Sequence, residues 1–310
     1  LHAADLQTAR DGMTPVESSS GTTPVASAAR ALRGPLVRLA IALAFVVPVL
    51  VAQIAIWALR PRLGTLATAI LSTAIATLVG WAVYRAYVRR FERRALVELA
   101  TAGSGRELGS GFALGVCAFA TSIAILAFVG AYRVVGLGAP LPVVLALLSA
   151  IGAATIEEIV FRGVVFRLVE EWGGTWTALA VSSLLFGGIH LLNPHATALG
   201  AIGIVFEGGI LLAGAYVLTR RLWLPIGIHA GWNFAEGGIF GVPTSGFASS
   251  GIVRGEVVGP EWLSGGVFGP EASIVAVLVC VALGLSLLVR AAQRDRFVAA
   301  SWKRLPASAV

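Results

Sequence analysis

"ATIEEIVFRGVVF", residues 154–166, decides how this chain folds. It sets Glu157, Glu158 and Arg162 inside a stretch that otherwise reads as a membrane-spanning helix. The apolar run around it covers about 141–169, and roughly 20 residues suffice to cross a bilayer. Similar runs recur at about 36–59, 65–88, 111–132, 175–192, 197–219, 222–240 and 271–290. Of the 310 residues, 57% are hydrophobic and 13% charged, with mean hydropathy +0.87. A soluble domain carries roughly 25% charged residues, and its core could not hide so many consecutive apolar ones. The composition therefore predicts an all-α fold, a polytopic membrane helix bundle of about eight transmembrane helices.

Basic residues set the orientation of such a bundle. With the N-terminus in the cytoplasm, 19 of the 23 basic residues fall in cytoplasmic segments, and Arg60, Arg62, Arg133 and Arg254 fall on the other side. That asymmetry, with an even number of spans, predicts that both the N- and C-termini are cytoplasmic. The formal charge of +7 is accounted for in this way. No run of Arg and Lys alternates with aromatics on a polar surface, so nucleic acid is not an expected partner. Cys117 and Cys280 lie in separate apolar runs and read as small hydrophobes.

Residues 1–34, rich in Ala, Ser, Thr, Gly and Pro, read as a disordered N-terminal tail. Residues 35–292 form the membrane domain, and 293–310 a basic C-terminal tail. The Gly- and Pro-rich stretch 241–271 is long for a connector and reads as a cover over the non-cytoplasmic side.

A charge at the centre of a membrane helix costs roughly 2.5–3.5 kcal/mol on insertion scales, and normally faces a bundle interior or wet cavity. Glu158 and Arg162 are four apart, share a helix face and can pair. Glu157 is rotated about 100° away and has no such partner. "SSLLFGGIH" adds His190, and "PIGIHAGWNF" adds His229 with Asn233 one turn later on the same face. Gly187, Gly188 and Gly231 leave room for close backbone approach beside these groups. Each polar residue alone has a bland explanation: a helical ion pair that neutralises itself, a histidine on a carbonyl, an asparagine bridging helices. Glu207 reads as structural. Together, two carboxylates, two imidazoles and a carboxamide on three spans exceed what packing requires. Counted along straight helices, however, His190 and His229 fall at depths that differ by roughly 14 Å. Tilt or a helix break is needed to bring them together.

Such a set suits peptide hydrolysis. A desolvated glutamate serves as general base, one histidine helps bind the water, and a second with Asn donates to the oxyanion. The same residues could instead hold zinc, with Glu157, His190 and His229 as ligands. Competing chemistries lack their residues. Glu follows neither His190 nor His229, so the HExxH zinc motif is missing. Asp5, Asp11 and Asp295 all lie outside the spans, which excludes an intramembrane aspartyl dyad.

The three stretches "EEIVFR", "FGGIH" and "HAGWN" resemble the EExxxR, FxxxH and HxxxN motifs of the CPBP intramembrane proteases. That family includes the type II CAAX prenyl endopeptidases and bacterial abortive-infection-like members. The resemblance covers a motif core of about 141–240. It implies a bundle with a membrane cavity and an endopeptidase acting on a membrane-associated peptide or protein. It implies Glu157 and His190 activating water, His229 and Asn233 stabilising the oxyanion, and Glu158, Arg162 and Phe186 supporting the site. No cofactor is favoured, with zinc the alternative, and no soluble cofactor or nucleic acid is implied. Twenty-two Arg against one Lys suggest a GC-rich bacterial genome, hence a multi-pass protein of the bacterial cytoplasmic membrane. A non-catalytic scaffold or immunity protein on the same fold, and a carrier whose charges line a path, are the competing readings.

Overall fold

The computed structural model describes residues 34–303. The expected disordered tail, up to residue 33, and residues 304–310 lie outside the described residues.

Helix α1 is Pro35–Ala58, α2 is Thr65–Glu92 and α3 is Ser104–Phe128. A short strand, β1 (Tyr132–Leu137), follows. A helical run from Pro140 to Leu192 breaks at Gly174 (φ 77°, ψ 174°), which separates α4 (140–173) from α5 (175–192). Helix α6 is Ala198–Thr219. Helix α7 joins Trp223–Asn233 to a π-helical end, Phe234–Ile239. Strand β2 (Val253–Val257) precedes the last helix, α8 (Ile274–Ala292). Local chemistry sets several of these starts. Pro140 opens α4, where its missing N–H costs nothing. Thr197 Oγ1 caps α6 by accepting from Gly200 N at 3.0 Å, and Ser273 Oγ caps α8 by accepting from Ala276 N at 3.1 Å.

Six helical runs in the described residues are long and apolar enough to cross a membrane, the run from Pro140 to Leu192 being the double one. Helix α7, of 11 residues plus the 6 of its π-helical end, is shorter than those six. The polytopic helical bundle expected from the sequence is thus present. Two details correct the expectation. Helix α3 starts at Ser104 rather than near 111 and ends at Phe128, because Tyr132 belongs to β1. The fold also contains a two-stranded antiparallel ribbon, in which β2 takes part of the 241–271 stretch to pair with β1.

The basic residues gather as the charge count requires. Arg38 of α1, Glu92 of α2, Arg94 and Glu98 of the loop after it, and Arg167 and Glu171 of α4 form one ion-pair network. Arg220, after α6, bonds to Glu170 of α4 and to the carbonyl of Arg296. Arg221 meets Glu107 of α3 at 3.3 Å. At the other end of α3, Arg133 of β1 pairs with Glu256 of β2 at 2.7 Å.

The tightest crossing is α3 on α7. A Cβ on Gly115 would lie 2.1 Å from the Ile228 carbonyl oxygen, and one on Gly231 2.2 Å from that of Phe112. Gly111 and Gly227 complete two facing GxxxG patterns, the small-residue geometry that lets membrane helices touch backbone to backbone. His229 lies between Gly227 and Gly231, so this crossing fixes the histidine. The described part of the C-terminal tail is packed, not free. Thr175 N donates to Val298 O at 2.9 Å, and Val298 N donates to Thr175 Oγ1 at 2.8 Å. Trp172 meets Trp302, and Trp176 meets Phe297.

Candidate active site

Helix α4 carries the acidic motif. Arg162 Nη1 donates to Glu158 Oε1 at 2.7 Å, and both side chains are fully buried. Arg162 Nη2 donates to the carbonyl of Gly208 on α6, and its guanidinium carbon lies 4.7 Å from the centre of the Phe186 ring. The buried arginine is thus neutralised, hydrogen-bonded and stacked, which an ionic group in a membrane interior requires. Gly208 is needed at this point, since a Cβ there would lie 2.2 Å from the Phe186 ring.

His229 Nδ1 lies 3.1 Å from the same Glu158 Oε1. A carboxylate oxygen accepts, so Nδ1–H is the donor and Nε2 is left for the other side of the ring. Glu157 Oε2 stands 3.8 Å from that Nε2, and the Glu157 side chain is 31% exposed. His190, in the short 3-10 turn His190–Leu192 that ends α5, has Nδ1 2.6 Å from the Phe186 carbonyl oxygen. A carbonyl only accepts, so here too Nδ1 carries the hydrogen and Nε2 is free. The Phe186 ring packs on both imidazoles, with centroids 4.9 Å from His190 and 6.0 Å from His229. This explains the FxxxH spacing. The phenylalanine wedges between the two histidines, and its own carbonyl sets the tautomer of the one that comes next.

His190, His229 and Asn233 line one cavity of about 40 Å3, room for two or three waters (about 10–15 Å3 each). Glu158 and Arg162 sit behind His229, and Glu157 approaches its Nε2 side without lining the cavity. No hydrogen bond joins Glu157 to His190 among the described residues. The depth mismatch is resolved by the helices themselves. Alpha-helical winding gives way to π-helix at Ile159–Phe166 directly after Glu158, and at Phe234–Ile239 directly after Asn233. The break at Gly174 re-aims α5. Gly187 has the close approach expected of it, with a Cβ there 2.6 Å from the Ala201 carbonyl oxygen. Gly188 does not: it faces open space, because it points away from α6.

The same cavity holds Glu207, which reads as structural in the sequence, and residues that the sequence did not mark. Glu207 of α6, Glu271 of the turn before α8, and Ser245 also line it. Glu236, on the π-helical end of α7, hydrogen-bonds Glu271, which also meets Ser245. Burial holds the Glu271 carboxyl above the ordinary carboxylate range. Glu236 comes three residues after Asn233, and a reading of "HAGWNFAE" one turn further would have found it. Glu271 gave no local signal, since it arrives from a loop. Ser245 and Glu271 both come from the 241–271 stretch, so that stretch supplies part of the cavity wall.

Over residues 139–235 the chain matches the family model for Type II CAAX prenyl endopeptidase Rce1-like proteins. This segment is similar to that family. The match runs from the start of α4 to just past Asn233 and so contains all three motifs, as the resemblance implied. The curated relative "Putative membrane peptidase YdiL" of Bacillus subtilis (strain 168) is 32% identical over 87 residues, 28% of this chain and 33% of that protein. The matched part therefore spans about a third of the relative's length. No solved structure gives a significant match. With its apolar helices, the chain is an integral multi-pass membrane protein whose centre is the Rce1-like segment. Zinc would need Glu157, His190 and His229 to converge on one point. Among the described residues no three His, Cys, Asp or Glu side chains are arranged to hold a metal ion.

Proposed function

We propose that this protein is an intramembrane endopeptidase that hydrolyses a peptide bond of a membrane-associated peptide or protein. The observation that carries the reading is the cavity lined by His190, His229 and Asn233, with Glu157 Oε2 3.8 Å from His229 Nε2. The match to the Rce1-like family supports it. In this reading water occupies the cavity beside Glu157 and the free Nε2 of His190. Glu157 takes the water's proton as hydroxide adds to the scissile carbonyl. The oxyanion is met by Asn233 Nδ2 and by Nε2–H of His229 in its doubly protonated form, whose Nδ1–H Glu158 accepts from behind. Glu157 then returns its proton to the leaving amine as the tetrahedral intermediate collapses. Arg162 takes no part in proton transfer. It keeps Glu158 anchored and Phe186 seated. The metal-free route is the one these contacts favour, and the bacterial cytoplasmic membrane is the proposed location, with the ion-pair network on the cytoplasmic side.

Purified protein in detergent, a quenched membrane-peptide library and a strong chelator test this. Cleavage that resists the chelator and is lost in Glu157→Gln is the expected result. Cleavage stopped by the chelator and restored by zinc overturns the metal-free mechanism and makes Glu157, His190 and His229 ligands. A library cut equally by Glu157→Gln and wild type overturns the assignment of Glu157 as base.

A further inference from the structure

Buried carboxylates in this molecule come in two kinds. Glu92, Glu98, Glu158 and Glu170 each meet an arginine. Glu207, Glu236 and Glu271 do not. They come from three different elements, α6, α7 and the turn before α8, and are 6%, 0% and 2% exposed. Oε1 of Glu207 has no hydrogen-bond partner among the described residues; Glu236 and Glu271 hydrogen-bond each other and Glu271 meets Ser245, none of them a cation. The nearby arginine, Arg162, directs its Nη1 to Glu158 and its Nη2 to the Gly208 carbonyl, and lies over the Phe186 ring. Unpaired acids of this kind are costly in a membrane interior and mark function when they face a cavity. Glu207 and Glu271 do face one, and it is the cavity that also holds His190, His229 and Asn233.

Resting on the peptidase reading, we propose that Glu207 and Glu271, backed by Glu236, form a subsite for an ammonium group of the substrate peptide beside the bond to be cut. The chain supplies every group of an ion-pair site except the cation, so the cation arrives with the ligand. The free space is about 40 Å3. It suits a compact ammonium better than a planar guanidinium, so lysine or a free amino terminus is preferred over arginine. Bound there, the ammonium gives its donors to carboxyl oxygens that no arginine neutralises among the described residues. The peptide is thereby held in register, with its adjacent carbonyl between His190 and His229.

The test uses Leu/Ala membrane peptides, quenched and otherwise identical, carrying a single lysine, arginine or norleucine at each position near the cleaved bond. Each is made with a free and an acetylated amino terminus. Two quantities are read with the full chain in nanodiscs: kcat/KM for the wild type, and binding to Glu157→Gln by fluorescence anisotropy, which does not depend on turnover. The lysine peptide is expected to exceed its norleucine counterpart by about tenfold in both, with arginine between them. The ratio is expected to fall to about one in Glu207→Gln and in Glu271→Gln. A preference that acetylation removes and the lysine-to-norleucine change does not assigns the ammonium to the amino terminus. Equal treatment of lysine and norleucine peptides, free or acetylated, by the wild type overturns the subsite, whether or not the variants fold. A lysine preference in binding with no cleavage of any peptide retains the subsite and overturns the peptidase reading.

Discussion

At the scale of the residue, the two adjacent glutamates of α4 have opposite surroundings. Glu158 is sealed in by Arg162 and His229, while Glu157 is partly exposed beside the Nε2 of His229. Their substitutions should separate accordingly. Glu157→Gln is expected to lower kcat by about 10²-fold or more and leave the melting temperature in detergent nearly unchanged. Arg162→Met strands a buried carboxylate, so a loss of about 3–5 kcal/mol in stability is expected. Adding Glu158→Gln to Arg162→Met should recover most of that stability without restoring cleavage, because His229 has then lost its carboxylate. Thermal unfolding and peptide assays on the three proteins check this. The pairing of Glu158 with Arg162 was legible from spacing alone, as it needs only one helix. The contact of Glu158 with His229 was not, because it joins two helices whose crossing no local pattern states.

At the scale of the element, the site depends on how closely helices approach. The two GxxxG patterns of α3 and α7 bring backbone onto backbone around His229. Gly115→Val or Gly231→Val must push the helices apart, at a cost of about 1–3 kcal/mol. The shift displaces His229 from Glu158, so cleavage should fall further than stability does, and a kcat measured well below the melting point separates the two effects. Gly208→Val should act from the opposite side by unseating Phe186 from between the histidines. Sequence periodicity located all eight helices, yet it placed His190 and His229 at conflicting depths. The left-handed break at Gly174, which re-aims the helix carrying His190, is a physical reason, and π-helical stretches after Glu158 and Asn233 shift the phase of the residues beyond them. Each changes the angle of later side chains without changing composition, so a straight 3.6-residue wheel misplaces the residues beyond it. Glu271 escaped the reading for a different reason: tertiary folding of the 241–271 stretch, not helix phase, brings it to the cavity.

At the scale of the whole molecule, one end is knitted by arginine and glutamate and the other by a small β-ribbon. The charge count puts the arginine-rich end in the cytoplasm. In a Cys117→Ser background, a cysteine at Arg93 should be shielded from a membrane-impermeant thiol reagent in intact cells, and one at Arg254 should react. The reverse pattern would invert the topology. The packing of Val298 on Thr175 carries a consequence for biosynthesis. A ribosome has made every residue of the three motifs by Asn233, but Glu271 and the segment that clasps the α4–α5 bend emerge only later. A nascent chain carrying His190 and His229 therefore passes through the insertion machinery before its cavity wall and clasp exist.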